Sequence, residues 1–260
     1  MELRVEEEVK EWIIRELPKW VEEQPALRQQ LAGALSDALR RPRMTYEEFL
    51  AWADEDTLAE WVDGEVVMTS PANDRHQDIS GFLESVLRAF VEARRLGIIR
   101  SAPFQMKLEH GREPDLLFVA REHLKRLKET YLDGPADLVV EIVSPEGIGR
   151  DRGEKFYEYA RGGVPEYWLI DPQKQWAEFY QLEEEHYRLA FGAKEGEYHA
   201  LVVPGFWLRV EWLWQDPLPS PIHVLAEIVG MDPELAAAFA RALSGVKDLT
   251  LENRRGTNDH

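Results

Sequence analysis

The spacing of apolar residues divides the chain into helical ends and a centre in which strands alternate with helices. Over residues 1–41, apolar side chains recur every three or four positions, which is typical of amphipathic helices. Two prolines interrupt this pattern and predict a bend between two helices. The pattern is helical again after Pro217, where Asp232 followed by Pro233 is typical of a helix start.

Between about residues 58 and 216, the apolar pattern changes to the alternation and the short continuous runs of β-strands. Strands that alternate with helices indicate an α/β core with a mixed sheet of α+β character. We therefore predict an N-terminal helical extension over 1–43, a core over 44–216, and a C-terminal helical extension with a tail over 217–260. The predicted core elements are a hairpin turning at Asp63-Gly64, helices over 75–96, 121–128 and 150–161, strands over 98–109, 115–120, 137–144 and 166–171, and further sheet strands up to Trp214.

The bulk composition is that of a globular protein without disulfides. Of the 260 residues, 44% are hydrophobic and 31% are charged, so disorder is not expected. The absence of cysteine excludes disulfides, thiolate zinc sites and cysteine nucleophiles. No apolar run approaches the ~20 residues of a membrane span, and the acidic start lacks signal-peptide features. We therefore expect a cytoplasmic protein with no membrane partner. Scarce asparagine beside abundant Glu and Arg favours a heat-adapted source.

The net charge argues against simple nucleic-acid binding. Lys and Arg number 31 against 49 Asp and Glu, which gives a formal net charge of −18. An acidic surface repels phosphate at long range and lowers the rate of encounter. Any nucleic-acid function therefore requires a local basic or metal-binding cleft.

Two acidic residues stand out because they interrupt apolar strands. Glu141 lies inside LVVEIV, a run typical of a central strand covered on both faces. A carboxylate buried there is costly unless a cation or hydrogen-bond donors meet it. Asp115 follows Pro114 and opens a second apolar strand, DLLFVA. If the two strands are neighbours, ~5 Å apart, a divalent cation between the two acids would turn their repulsion into binding energy.

Lys155 is the candidate cation for such a site. In the helix that follows Glu141, Asp151, Lys155 and Tyr159 share one face at i, i+4 spacing. A lysine near two carboxylates can polarise a water molecule or stabilise charge that builds on a phosphate. Each residue also has a structural interpretation: a turn cap for Asp115, a buried ion pair for Glu141, and a surface pair with Asp151 for Lys155.

These residues lie in segments that resemble the Uma2 family of restriction endonucleases, members of the PD-(D/E)XK nuclease superfamily. The resemblance extends from about Met44 to Trp214 and implies a restriction-endonuclease-like core. Its most specific feature is GVPEYWLID following DLVVEIVSPE. The matching segments, in order, are MTYEEFL, AEWVDGEVVMTSP, RHQDI, EPDLLFVA, GPADLVVEIVSPE, DRGEKFYEYARGGVPEYWLID and VVPGFWL.

The resemblance implies that Asp115 and Glu141 are the acidic motif residues and hold Mg²⁺ or Mn²⁺. The chain departs from the superfamily pattern at one position: Val143 stands two residues after Glu141, where the superfamily has its lysine. We therefore assign the role of that lysine to Lys155, on the next helix.

The resemblance also includes Glu60 and His76, which fall in motif segments of the family. It implies that Glu60 is a further metal ligand and that His76 contacts the substrate or a water molecule. Glu60 near a strand start and His76 before a helix also have structural interpretations, His76 as a cap or solvated group of the first helical turn.

We expect a metal-dependent endonuclease that hydrolyses phosphodiester bonds in DNA, and a homodimer, because cleavage of a duplex requires two cuts. Two alternatives remain open from the sequence. One is a catalytically vestigial nuclease fold that acts as a scaffold or nucleic-acid-binding module, which the negative charge favours. The other is a hydrolase of a small phosphate substrate, for which global repulsion matters less. Nothing in the sequence indicates a cleavage specificity.

Overall fold

The computed structural model describes residues 43–54, 57–68, 73–144 and 153–244. These residues belong to two compact units. The described part of the first unit consists of 43–45 and 63–65, in which the amide of Met44 donates to the carbonyl of Gly64 at 2.8 Å. The second unit contains the other described residues. The helices predicted over 1–41 lie outside the described residues.

The order of elements is that of a mixed α/β fold. The helices are α1 (Tyr46–Trp52), α2 (Asp74–Ala93), α3 (Lys155–Gly162), α4 (Pro221–Ile228) and α5 (Pro233–Ser244), with 3₁₀ helices at Arg121–Arg126 and Val210–Trp214. The strands are β1 (Ala59–Val62), β2 (Glu65–Met68), β3 (Gly97–Ser101), β4 (Gln105–Lys107), β5 (Gly111–Arg112), β6 (Leu116–Ala120), β7 (Tyr131–Asp133), β8 (Leu138–Ile142), β9 (Glu166–Asp171), β10 (Trp176–Glu183), β11 (His186–Ala193), β12 (Glu197–His199) and β13 (Trp207–Arg209).

The main sheet has six strands in the order β11-β10-β9-β8-β6-β3. Its β8–β9 pair is parallel, and the other neighbouring pairs are antiparallel. All five residues of β8 are buried. This explains its continuous apolar run, because a strand covered on both faces has no side that favours polar residues. A second sheet has the order β2-β1-β5-β4-β7.

Two apolar clusters cover opposite faces of β6 and β8. Successive strand residues point to opposite faces, so each strand contributes to both clusters. Leu116 and Val140 belong to the cluster that contains α2, whereas Leu117 and Val139 belong to the cluster that contains Tyr159 of α3. Glu141 is two residues beyond Val139, so its side chain lies on the α3 side of the sheet.

Helix α2 packs along the first of these faces. Its buried residues recur three and four positions apart, as the helical stripe in the sequence predicts. Val224 and Ile228 of α4 belong to the same cluster, so the first C-terminal helix completes the core around α2. None of the described helices is long and apolar enough to span a membrane.

The strand predicted over 98–109 is in fact two strands, β3 and β4. Pro103 lies between them and has no amide hydrogen to donate to a strand ladder. The amide of Phe104 donates to the carbonyl of Ser101 at 3.2 Å and closes a turn at this point. The β-type composition on both sides of Pro103 led to the prediction of one strand where there are two.

The aromatic-rich stretch up to Trp214 does not extend the main sheet, contrary to expectation. Strands β12 and β13 pair with each other as a separate ribbon, and a 3₁₀ helix follows β13. The helix predicted to start near residue 150 begins, within the described residues, at Lys155.

Candidate active site

Asp115 immediately precedes β6, the neighbour of the strand that carries Glu141. Strands β6 and β8 are antiparallel neighbours in which Leu116 pairs with Val140. Continuing this register by one residue places Asp115 opposite Glu141, and opposite residues on antiparallel strands point to the same face. Oδ2 of Asp115 accepts a hydrogen bond from the amide of Ile142 at 2.6 Å, which holds its carboxylate against β8.

Glu141 is buried, and two donors from α3 contact its carboxylate. Only 3% of the residue is exposed. Its Oε1 accepts hydrogen bonds from the hydroxyl of Tyr159 at 2.7 Å and from the ammonium of Lys155 at 3.0 Å. Lys155 and Tyr159 are four residues apart, so one face of α3 carries both donors. Burial and the charge of Glu141 raise the pKa of the Tyr159 hydroxyl, which therefore remains a donor.

The ammonium of Lys155 lies between two carboxylates. It is 2.9 Å from Oε1 of Glu60 and 3.0 Å from Oε1 of Glu141, and the lysine is buried. Glu60 lies on β1 and is fully buried. Burial raises the pKa of Glu60, but Lys155 and Arg112 outweigh burial and leave the pKa below its usual range. Glu60 is thus an ionised partner of Lys155. Asp151, the partner considered from the sequence, lies outside the described residues.

Arg112 connects Glu60 to helix α3. It lies on the two-residue strand β5 beside Gly111, where an added Cβ would be 2.4 Å from the ring of Tyr46. Only glycine allows β5 to approach this closely. The buried guanidinium of Arg112 donates from Nη1 to Oε2 of Glu60 at 3.0 Å and from Nε to Oε2 of Glu158 at 2.7 Å. Burial lowers the pKa of Arg112, but the two carboxylates outweigh burial and raise the pKa.

Glu158 anchors the other end of this bridge on α3. Its Oε1 accepts from the amide of His110 at 2.9 Å, and its Oε2 is 2.8 Å from Nδ1 of the same histidine. Burial raises the pKa of Glu158, but Arg112 and His110 outweigh burial and lower the pKa. Glu158 follows Lys155 by three residues, so both lie on the same side of the helix.

Glu113 is a further buried carboxylate, two residues before Asp115. Its Oε2 accepts hydrogen bonds from the amide of Ala59 and from the side-chain amide of Gln105, each at 3.2 Å. Burial raises the pKa of Glu113 to about 7, and the charges of Glu60 and Asp115 act in the same direction. Glu113 can therefore gain or lose a proton near neutral pH.

His76 lies in the first turn of α2, where its Nε2 is 3.2 Å from Oδ1 of Asp115. The amide of His76 donates to the side chain of the helix cap Asn73 at 2.9 Å, which fixes the position of this turn. A cavity of about 110 Å³ borders the histidine. It is lined by Asn73, Arg75, His76, Val143, Pro172 and Gln173.

Acidic charge exceeds basic charge in this cluster. Four carboxylates, those of Glu60, Glu141, Glu154 and Glu158, contact the two buried cations, Arg112 and Lys155, and Asp115, which contacts His76, is a fifth carboxylate. Within the described part of the chain, no group of three or more His, Asp or Glu side chains is arranged to hold a metal ion. Asp115 and Glu141 are nevertheless a pair that could hold Mg²⁺, which commonly binds one or two carboxylates and keeps several waters.

The five residues predicted from the sequence fall into two groups of contacts: His76 contacts Asp115, and Lys155 contacts Glu60 and Glu141. The amide of Ile142, next to Glu141, donates to Asp115 and links the two groups through the backbone. The sequence did not identify Arg112 or Glu158. Spacing from Lys155 could have indicated Glu158, but a strand of two residues carries no pattern that could have indicated Arg112.

Comparisons with known proteins agree with this architecture. The Uma2 family model, described as "Putative restriction endonuclease", matches residues 46–211. A crystal structure described as a putative nuclease belonging to DUF820, from Anabaena variabilis, is similar in fold, with a TM-score of 0.58 and 18% sequence identity. The similarity covers 66% of this chain and 97% of that chain. No curated protein matches the sequence. The predicted restriction-endonuclease-like α/β core is therefore confirmed.

Proposed function

Because this chain belongs to the Uma2 family of restriction-endonuclease-like proteins, we propose that it is a metal-dependent endonuclease that hydrolyses phosphodiester bonds in DNA. In this proposal Asp115 and Glu141 hold a magnesium or manganese ion, and Lys155 stabilises negative charge on the reacting phosphate. The sequence led us to expect Glu60 as a further metal ligand and His76 as a contact to substrate or water. Because the two carboxylate oxygens of Glu60 contact Arg112 and Lys155, and His76 contacts Asp115, we propose instead that these residues hold Lys155 and Asp115 in place.

One observation carries the proposal: the register of β6 and β8, continued by one residue, brings Asp115 opposite Glu141, and a lysine ammonium lies 3.0 Å from Glu141. Burying the carboxylate of Glu141 at this strand position would cost free energy unless a cation or hydrogen-bond donors contacted it. Its contacts with Lys155 and Tyr159 occupy Oε1 and orient the carboxylate. The excess of acidic charge in the cluster supports a place for one more cation beside Asp115.

A divalent cation bound by Asp115 and Glu141 would lower the pKa of a bound water and neutralise charge on the phosphate. The donor set fits such an ion because both ligands are carboxylates, the hard oxygen donors that Mg²⁺ prefers. Asp115 is oriented for this role by the amide of Ile142 and by Nε2 of His76.

Lys155 supplies the fixed positive charge of the proposed site. Its ammonium contacts the carboxylates of Glu60 and Glu141, which hold it in a fixed position. A preorganised donor stabilises the charge that develops on a phosphate oxygen without reorganising at the moment of reaction. Because the lysine is buried, water screens this charge little.

Metal titration and DNA nicking test the proposal together. By calorimetry, we expect Mn²⁺ or Mg²⁺ to bind the wild-type protein and to bind Asp115→Ala weakly or not at all. We expect plasmid nicking in Mn²⁺ that is lost in Glu141→Ala and in Lys155→Ala. Glu197→Ala is the matched control, because Glu197 pairs with Arg209 on the separate β12–β13 ribbon. If the wild-type protein nicks neither duplex nor single-stranded nor branched DNA, the proposal is contradicted.

A non-catalytic role is the second candidate, and the formal net charge of −18 favours it. In that role the ion pairs of Lys155 with Glu60 and Glu141 are structural, and the fold serves as a scaffold. Metal binding to the wild type that Asp115→Ala abolishes would count against it.

The division into an N-terminal extension over 1–43, a core over 44–216 and a C-terminal extension over 217–260 remains part of the proposal. We also propose a homodimer, because two copies would bring one site to each strand of a duplex. A molar mass of one chain by light scattering, with duplex cleavage intact, would contradict the dimer.

A further inference from the structure

The lysine of this site is carried by a helix, whereas the two acids are carried by strands. Neighbouring strands hold Asp115 and Glu141 in register through the β6–β8 ladder. Lys155 has no such constraint, because it opens α3 at the end of a flexible four-carbon side chain. Glu141 on β8 contacts its ammonium, and Glu60 on β1, outside this pair of strands, provides a second contact.

Arg112 provides two connections that hold this ammonium in place. One nitrogen of its guanidinium donates to Glu60, whose other carboxylate oxygen contacts the ammonium of Lys155 at 2.9 Å. A second nitrogen donates to Glu158, one turn further along the helix that carries Lys155. The arginine thus holds both the partner of the lysine and the helix on which the lysine lies.

We infer that Arg112 is a positioning residue of the active centre, which fixes the ammonium of Lys155 against Glu141 through Glu60 and fixes helix α3 through Glu158. This inference rests on the proposed function for its catalytic consequence. The residue touches neither of the proposed metal ligands in the contacts described above, so it acts through Lys155 and not on the substrate.

The geometry requires an arginine at this position. A guanidinium is planar and presents donors in two directions at once, so it can bind two carboxylates from different elements. A lysine at position 112 would keep the positive charge but would reach only one of Glu60 and Glu158 with good geometry. The two-directional donor geometry of the guanidinium, and not its charge alone, therefore sets the position of Lys155.

The test compares Arg112→Met and Arg112→Lys with the wild-type full-length protein in two measurements. The first is the rate at which an amine-labelling reagent modifies each lysine, resolved by mass spectrometry. We expect Lys155 to be modified faster in both variants, whereas the exposed Lys174 is modified at an unchanged rate. Unchanged protection of Lys155 in a folded Arg112→Met protein would overturn the inference.

The second measurement is the plasmid-nicking rate with kcat and KM determined separately. Misplacing a catalytic group by about 1 Å costs on the order of 100-fold in rate, so we expect kcat to fall by about that factor. We expect KM to stay within about twofold, because Arg112 does not contact the DNA. A loss confined to KM would show that Arg112 binds substrate and would overturn the inference.

Arg209→Lys is the matched control, because Arg209 also bridges carboxylates from different elements, Glu197 of β12 and Glu227 of α4, away from the proposed site. It should change neither the labelling of Lys155 nor kcat. If Arg112→Met does not fold, Glu60→Gln replaces it, because Glu60 joins Arg112 to Lys155. In this variant we expect the amine-labelling reagent to modify Lys155 faster as well. If the wild type nicks no DNA, the proposed function fails, and the labelling comparison still decides the role of Arg112.

Discussion

The carboxylate of Glu141 is the least expected side chain of β8, because all the other residues of this strand are apolar. Its stability depends on the donors that meet it, Lys155 and Tyr159. A hydrogen bond to a charged acceptor in a buried site is stronger than one between neutral groups. The two donors on α3 therefore tie this helix to the centre of the sheet.

Tyr159→Phe tests the strength of that connection. We expect a loss of about 2 kcal/mol in the free energy of unfolding, because the variant removes a hydrogen bond to a charged and buried acceptor. Tyr187→Phe is the control: its hydroxyl donates to the neutral carbonyl of Val164 at 2.9 Å, and the expected loss is about 1 kcal/mol. Urea unfolding of both variants measures the difference. Equal losses of unfolding free energy would contradict the claim that Tyr159 donates to a charged acceptor.

Glu166 is a second buried acid, with a different role. Its Oε1 accepts from the indole of Trp168 and the hydroxyl of Tyr198, and its Oε2 accepts from the amides of Leu201 and Val202, at 2.7 to 2.8 Å. Four donors on one carboxylate hold the loop after β12 against β9. Burial raises the pKa of Glu166, although all four donors act to lower it.

Glu166→Gln should destabilise the protein by about 3 kcal/mol, because an amide nitrogen would face donors and leave them unsatisfied. The shape of the side chain is unchanged, so this loss reports hydrogen bonding and not packing. Glu178→Gln serves for comparison, since Glu178 is only partly buried and accepts from Trp176 and Tyr180 at 3.1 Å. Thermal unfolding that shows the Glu178 variant to be the less stable would contradict this account.

At the scale of elements, the site depends on how α2 begins. Asn73 caps this helix, and its side chain accepts from the amide of His76 at 2.9 Å. His76 in turn contacts Asp115, so the cap sets the position of the histidine relative to the proposed metal ligand.

Asn73→Ala should cost about 1 kcal/mol of stability, as is usual for loss of a helix cap, and should speed hydrogen exchange at the amide of His76. Asn73→Asp keeps an acceptor oxygen at the cap and should retain both properties. Denaturant unfolding and exchange measured by NMR distinguish the two. A His76 amide equally protected in the alanine variant would show that the cap does not hold this turn.

The elements with strong local patterns were predictable from the sequence. Helix α2 has a continuous apolar stripe, and β8 and β9 are buried runs bounded by turn residues. Strands β5 and β7 were not predicted, because two or three residues carry no periodicity and β5 also pairs with the distant β1, as β7 does with β4. Local pattern thus predicts the main sheet better than the second sheet.

The candidate site divides in the same way. Asp115 and Glu141 were identifiable because a charge inside an apolar strand has a known cost. Lys155 was indicated only by its coincidence with the two acids and by the resemblance to a family, since its spacing alone is also that of a surface helix residue. Arg112 could not be predicted, because its partners Glu60 and Glu158 are 52 and 46 residues away in sequence and meet it only in the folded chain.

At the scale of the whole molecule, three structural elements converge on one buried ion network. The main sheet contributes Glu141, the second sheet contributes Glu60 and Arg112, and α3 contributes Lys155 and Glu158. The apolar cluster that contains Tyr159 also draws residues from both sheets and from α3. Folding of these elements should therefore be cooperative, and the charge state of the network should affect global stability.

This coupling predicts how stability changes with pH. Arg112 and His110 outweigh burial and lower the pKa of Glu158, and Lys155 and Arg112 do the same for Glu60. A carboxyl whose folded-state pKa lies below its unfolded-state value stabilises the protein above the unfolded value and loses this contribution as the pH falls through the folded value. The unfolded state then binds more protons, so stability must decrease toward acid.

We expect the free energy of unfolding to fall as the pH drops below about 4.5, by up to about 1.4 kcal/mol per pH unit for each proton taken up on unfolding. Glu158→Gln should be less stable at neutral pH by about 3 kcal/mol, because Arg112 keeps a buried charge and loses one partner. The same variant should show a shallower acid decline, since one titrating group is gone. Urea unfolding from pH 7 to pH 3 measures both effects, and a decline as steep as that of the wild type would show that Glu158 is not ionised in the folded network.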